Sequence, residues 1–401
     1  MDKRYELIKC LKNIKCIKNI KCIKYIKCIK YILICVTLLL LMPSQKAYAL
    51  ELPESESLDF DYDEIQEVID GVLSANNKIS FEDYVMNLFR GDKELSFTSI
   101  LNDIKNSIIN EVKSNVGILT SLISIAVIAA VFTNFSYAFQ NNQVAETGFY
   151  VTYLLLFSVI TASFIAASKI AAETISAVLS FMKALVPTYF MAVAFSSSAG
   201  TSAVYYQATL FLITFVDMLL IKLVIPLINI YLIVTMANNL SKEDLLSKLS
   251  DLIILVTKWT LKTMLAVVVG FNSLQGLILP VADKVKRSAL LKAAGAIPGV
   301  GDILGSITES VLGAGVLLKN VIGVAGIVVV ISICAVPLIK LAVTAIIYRI
   351  SAAAVQPISD KRMLNCVTAA AEASGLLLQT VIVGAVLFLF TITIVAATTT
   401  R

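Results

Sequence analysis

The sequence contains no histidine. Without imidazole it lacks the side chain that most readily serves as general base, proton shuttle or metal ligand near neutral pH, so most hydrolytic mechanisms are closed to it. It has no G-x-x-x-x-G-K-[ST] stretch either, and therefore lacks the backbone cradle and lysine that hold nucleotide phosphates. Any step driven by ATP must come from a partner. Charge is scarce as well. Only 15% of the 401 residues are Asp, Glu, Lys or Arg, against 58% hydrophobic, and the mean hydropathy is +0.86, well above that of a soluble domain. Such a chain belongs in a bilayer.

The few charges fall in three zones. Residues 1–49 carry a net charge of +9, residues 50–115 of −10, and residues 116–401 of +6. No single basic surface exists for a polyanion, so no nucleic-acid partner is expected. The basic zone also holds most of the cysteine: Cys10, Cys16, Cys22 and Cys28 recur every six residues in a refrain running from Ile8 to Tyr31, with lysine at every third position. In a helix three residues turn about 300°, so the lysines drift around the cylinder and leave no lasting apolar face. The spacing lacks the close C-x-x-C pairs that grip zinc, and no metal or other cofactor is expected. After the refrain comes an apolar run over residues 32–42, then Ala47-Tyr48-Ala49. A basic segment, a short hydrophobic core and an A-x-A site describe a signal peptide over residues 1–49, cleaved between Ala49 and Leu50; an uncleaved signal anchor is the alternative. Beyond it remain Cys334 and Cys366, which read as small buried hydrophobes and not as a disulfide pair.

Residues 50–115 read as an acidic helical region outside the cytoplasm, because cleavage exports it and it is poor in Lys and Arg. Ile65, Val68, Ile69 and Val72 fall at helical spacing, as do Ile100, Ile104, Ile108 and Ile109. From Val116 to Arg401 apolar stretches follow one another: Val116–Phe139, Gly148–Ser168, Ile175–Phe195, Ala203–Ala237, Leu252–Leu279, Gly323–Ile347 and Gly375–Ala396. The expected fold is all-α, a polytopic helical membrane protein with about five to eight crossings and re-entrant or broken helices. Pro187, Pro226, Pro298 and Pro337 are the expected helix breaks. Lys/Arg bias predicts that both basic clusters, 284–292 and 348–362, lie inside, which needs an even number of crossings between them unless a half-membrane hairpin around residues 296–306 changes the parity. Pro187 and Pro298 are separated by the same interval, 111 residues, as Pro226 and Pro337, which suggests an internal duplication of the kind found in transporters.

Charges inside apolar segments are costly, and Asp217, Lys222, Lys258, Lys262 and Lys319 are the candidates for function. Asp217 and Lys222 stand about 140° apart on a helix, so each pairs elsewhere or the helix breaks between them. Lys258 and Lys262 are one turn apart and either line a wet cavity or snorkel to headgroups. Gly323 and Gly326, following Lys319, are expected at a close helix contact.

With "AIPGVG", "LLKNVIGVAG", "VPLIKLAVTAIIYRISAAAVQPISDKR" and the final apolar helix in view, the chain resembles the stage III sporulation protein AE family of endospore-forming bacteria. The likeness is densest from Ala293 to Arg362, whereas the lysine–cysteine refrain departs from the family's ordinary signal peptide. The resemblance implies a multi-pass protein of the mother-cell membrane around the forespore. It would be a non-enzymatic part of a channel or secretion-like apparatus needed for late forespore development. Its partners would be membrane lipid and other membrane proteins of the same operon, among them an ATPase-fold sister subunit and ring-forming subunits, in a hetero-oligomer. A stand-alone secondary transporter or flippase is the alternative. The family offers no catalytic residues to carry over.

Overall fold

A computed structural model describes residues 62–72, 80–90, 97–139, 142–196, 199–241, 244–294 and 301–398. The proposed cleavage site at Ala47, Ala49 and Leu50, the cysteine refrain and Pro298 lie outside the described residues. Nine α-helices make up the described chain: α1 Asp63–Val72, α2 Phe81–Arg90, α3 Phe97–Phe139, α4 Asn142–Ser196, α5 Ala199–Leu219, α6 Ile225–Leu240, α7 Ser247–Ala294, α8 Gly301–Val355 and α9 Lys361–Thr398. A π-helical turn, Leu220–Val224, joins α5 to α6. No strand occurs among the described residues.

Among the described residues six helical stretches are long and apolar enough to cross a membrane: Ile109–Val131, Glu146–Phe195, Ser202–Leu240, Ser247–Leu274, Gly313–Val355 and Lys361–Ala396. The helices merge stretches that the sequence pattern separates. α3 continues the periodic 100–109 segment into the first span, and α4 carries two expected crossings as one helix of 55 residues. At 1.5 Å per residue α4 and α8 are each about 80 Å long, far more than the roughly 30 Å of hydrocarbon in a bilayer.

Two of the four expected breaks are not breaks. Pro187 sits inside α4 and Pro337 inside α8, and both helices continue through them. A proline deletes one backbone hydrogen bond, but nearby Ser/Thr hydroxyls and neighbouring helices can make good the loss. Pro226 follows the π turn at the start of α6, where its missing N–H is least needed; the chain widens there and runs on instead of re-entering. Of the two pairs 111 residues apart, only Pro226 and Pro337 are both described, and they occupy unlike positions, one beside the π turn and the other inside α8. Among the described residues one candidate span, in α8, lies between 284–292 and 348–362; residues 295–300, which join α7 to α8, lie outside the described residues.

Three turns gather at one end of the bundle, which we call the hairpin end. The start of α4, the end of α6 and the start of α9 meet where Tyr153 Oη donates to the Met236 carbonyl beside Cys366 Sγ, 3.7 Å away. The Arg362 guanidinium lies 3.6 Å from the centre of the Phe149 ring. Asn238 closes the α6–α7 turn, its Oδ1 accepting from Leu246 N at 2.7 Å. Further along, Ser168 Oγ donates to Asn229 Oδ1 at 3.0 Å, and Asn272 Nδ2 to Thr391 Oγ1 at 3.1 Å. Such polar links and small residues hold helices together where lipid gives no hydrophobic drive. Cys334 and Cys366 are buried free thiols.

α1 and α2 form a small amphipathic hairpin away from the hairpin end. Ser80 Oγ accepts from Asp83 N at 3.2 Å and starts α2 as an N-cap should. Gln66 Oε1 accepts from Phe81 N at 2.9 Å and ties α1 to it. Ile65, Ile69, Phe81 and Val85 are buried, with Phe81 edge-on to Phe181 of α4 at 6.4 Å between ring centres. Phe81→Ala should cost about 3 kcal/mol at this junction, and limited proteolysis should then cut within 62–90 far faster than in the parent chain. Tyr62, 5.7 Å from the Phe81 ring, has its phenol pushed up to about 12, by burial first and by Glu82 second. Because the folded state holds this proton more tightly than the unfolded chain, the phenol's contribution is complete below about pH 10 and disappears as pH rises toward 12. Alkaline release of the hairpin, followed by proteolysis, should therefore weaken in Tyr62→Phe.

Candidate functional site

One of the candidate charges, Lys258, meets a carboxylate absent from the sequence candidates. Glu372 lies in α9 within A-A-A-E-A-S, where Ala369, Ala370, Ala371, Ala373 and Ser374 are all buried. Small residues let α9 approach its neighbours closely, and the carboxylate then reaches two of them. Oε1 accepts from Lys258 Nζ of α7 at 3.3 Å, with the two side chains 31% and 35% exposed. Oε2 accepts from Tyr231 Oη of α6 at 3.2 Å. One anion thus clamps three helices inside candidate spans.

Polar groups continue from this cluster along the α6–α7 seam to the turn. Thr235 Oγ1 bonds Ser250 Oγ and donates to the Tyr231 carbonyl at 2.7 Å. Asn238 Nδ2 donates to Asp244 Oδ1 at 3.3 Å. The seam links the exposed turn to Glu372 through side chains of alternating helices. Its interactions are charge pairing and hydrogen bonding. Among the described residues no three His, Cys, Asp or Glu side chains gather into a metal-ligand set.

The other candidates scatter. Lys262, one turn past Lys258, is exposed, as is Lys222 within the π turn, while Asp217 is half-buried. Among the described residues no ion pair joins Asp217 to Lys222. Lys319 is wholly buried in α8, one turn from Gly323 and on the same face. A Cβ on Gly323 would lie 3.5 Å from Tyr189 and 3.6 Å from Ile392; one on Gly326 would lie 2.7 Å from Leu185 Cδ2. At these two glycines α8 packs against α4 and α9. The signal for Glu372 was in the sequence, as a lone acid in a long apolar helix, the pattern that marks functional hypotheses in membranes.

Comparison with known proteins settles the family. The model of the stage III sporulation protein AE family matches residues 79–399, from the start of α2 through the whole of the span region. The chain belongs to the stage III sporulation protein AE family. Among curated relatives it is similar to the stage III sporulation protein AE of Bacillus subtilis (strain 168), 25% identical over 343 residues, which are 85% of each chain. No solved structure matches. The family has a role in sporulation, and with six apolar spans this member is a multi-pass helical membrane protein.

Proposed function

We propose that the chain is an integral membrane subunit of a channel or secretion-like apparatus joining mother cell and forespore, required for late forespore development. On this reading it lies in the mother-cell membrane around the forespore, with residues 50–115 on the extracytoplasmic side and residues 1–49 removed as a signal peptide. The observation that carries it is the family match over 79–399 on a chain built from six spans. The cluster at Glu372 offers structural charge pairing and not catalysis, so the part is a platform or pore wall and any ATP-driven step belongs to an ATPase-fold partner. The acidic outer faces of α1 and α2, with Asp63, Glu64, Glu67, Asp70, Glu82 and Asp83 exposed, suit contact with ring-forming partners of the same operon.

Deleting the gene should block late forespore gene expression while engulfment proceeds, and the tagged chain should co-purify with the other operon products. Normal late expression in the deletion strain would refute the reading. The Tyr231–Glu372–Lys258 cluster favours a second one, a stand-alone secondary transporter or flippase. An isolated gene, without sporulation neighbours, would support that alternative. Asp217→Asn and Lys319→Met test whether those charges serve conduction: wild-type sporulation and assembly in both would remove them from any such role.

A further inference from the structure

We propose that the bilayer surrounds only the hairpin-end half of the bundle, and that the opposite half, where α1 and α2 dock, stands clear of the acyl chains. This placement does not depend on the sporulation reading. It begins with α3 and α4, a helical hairpin whose arms run back from residues 139 and 142. Residues 114–139 of α3 and 147–168 of α4 carry no charge. Then both arms turn charged at the same level: Glu111 and Lys113 on α3, the exposed Lys169–Glu173 pair on α4, 74% and 65% exposed and 3.7 Å apart. At 1.5 Å per residue that level is about 40 Å from the turn, matching the 40–45 Å of a bilayer with its headgroups. On the α5–α6 rod the level is fixed by Leu220, which would meet a Cβ on Gly384 at 3.2 Å where Ile175 of α4 would meet it at 3.9 Å, so Lys222 stands near the level of Glu173. Three helices thus agree on one polar belt.

Beyond the belt the chain is unsuited to hydrocarbon despite its apolar helices. Phe81 rests on Phe181, past Glu173, and brings with it the six exposed acids of α1 and α2. A slab over this half would bury those acids together with Glu111 and Lys113, and unpaired charges facing lipid are what membranes exclude. A slab over the hairpin half meets Leu154, Leu155 and Ile165 of α4, Ile233 of α6, and Leu255 and Trp259 of α7, each more than half exposed. The charges it encloses away from its faces are the Lys258–Glu372 pair, internally neutralised, and Lys262, Lys340 and Arg349, whose long stems can snorkel; Glu146, Lys248 and Asp251 lie within about 6 Å of the helix ends, at the headgroups.

The single tryptophan of the sequence, Trp259, is 67% exposed in the proposed lipid-facing half. When the full chain is reconstituted in phosphatidylcholine vesicles, replacing ordinary acyl chains by brominated ones should remove most of the Trp259 emission. In a Trp259→Phe background, Val204→Trp on α5 and Val324→Trp on α8 report from exposed positions of the other half, and their emission should be unchanged by bromine. Contact with bromine is required for quenching, so a reporter in water and one covered by protein read alike. Unquenched Trp259 in the unsubstituted chain overturns the placement, and so does quenching at Val204→Trp or Val324→Trp as strong as at Trp259.

Discussion

Glu372→Ala is expected to lower the stability of the detergent-solubilised chain by about 2 kcal/mol, the scale of lost hydrogen bonds to a charged group. The side chain joins Lys258 at 3.3 Å and Tyr231 at 3.2 Å, so its removal strands a half-buried ammonium and a nearly buried phenol together. Partial exposure, 31% for Glu372 and 35% for Lys258, holds the loss below the 3–5 kcal/mol of a fully buried pair broken on one side. Glu372→Gln keeps an acceptor for Tyr231 and should lose about half as much. Pairing Glu372→Ala with Lys258→Met should recover about 1 kcal/mol, since the second change removes the stranded charge. Thermal unfolding of the parent chain, Glu372→Ala, Glu372→Gln, Lys258→Met and the double variant at one detergent concentration measures all these terms; strictly additive losses would show that the clamp does not couple α7 to α9.

The second large effect lies at the α8 contact with α4 and α9. Gly326→Leu should destabilise by about 3 kcal/mol through overpacking, because even its Cβ would stand 2.7 Å from Leu185 Cδ2 and 3.6 Å from Ile392 Cδ1. Gly326→Ala should be far milder, about 1 kcal/mol: the nearest atom is the end of a leucine that can change rotamer. Leu185→Ala in the Gly326→Leu background should restore part of the loss, and its failure to do so would place the strain elsewhere.

Much of this architecture is written in residue pattern. The absence of charge over long apolar stretches announces spans, and the Lys319-to-Gly326 stretch announces close packing, because both depend on properties that individual side chains carry. Helix continuity does not. Pro187 and Pro337 signal breaks in isolation, yet the neighbours that compensate a missing N–H are remote in sequence. Glu372 escaped because its meaning depends on Tyr231 and Lys258, 141 and 114 residues away. Lys258, by contrast, stood out by itself but could not name its partner.

The account rests on three turns sharing one face of the membrane while α1 and α2 occupy the other. Single cysteines at Leu245 and Ile358, exposed in the α6–α7 and α8–α9 turns, and at Glu67 on the outer face of α1, measure this with a membrane-impermeant maleimide. Cys334 and Cys366 are buried, and replacing the five cysteines of residues 1–49 by serine removes the remaining background. In sealed vesicles of uniform orientation, Leu245→Cys and Ile358→Cys should label from the same side and Glu67→Cys only from the opposite side. Labelling of the two turns from different sides, or of Glu67→Cys from the side of the turns, would contradict the arrangement of the six spans.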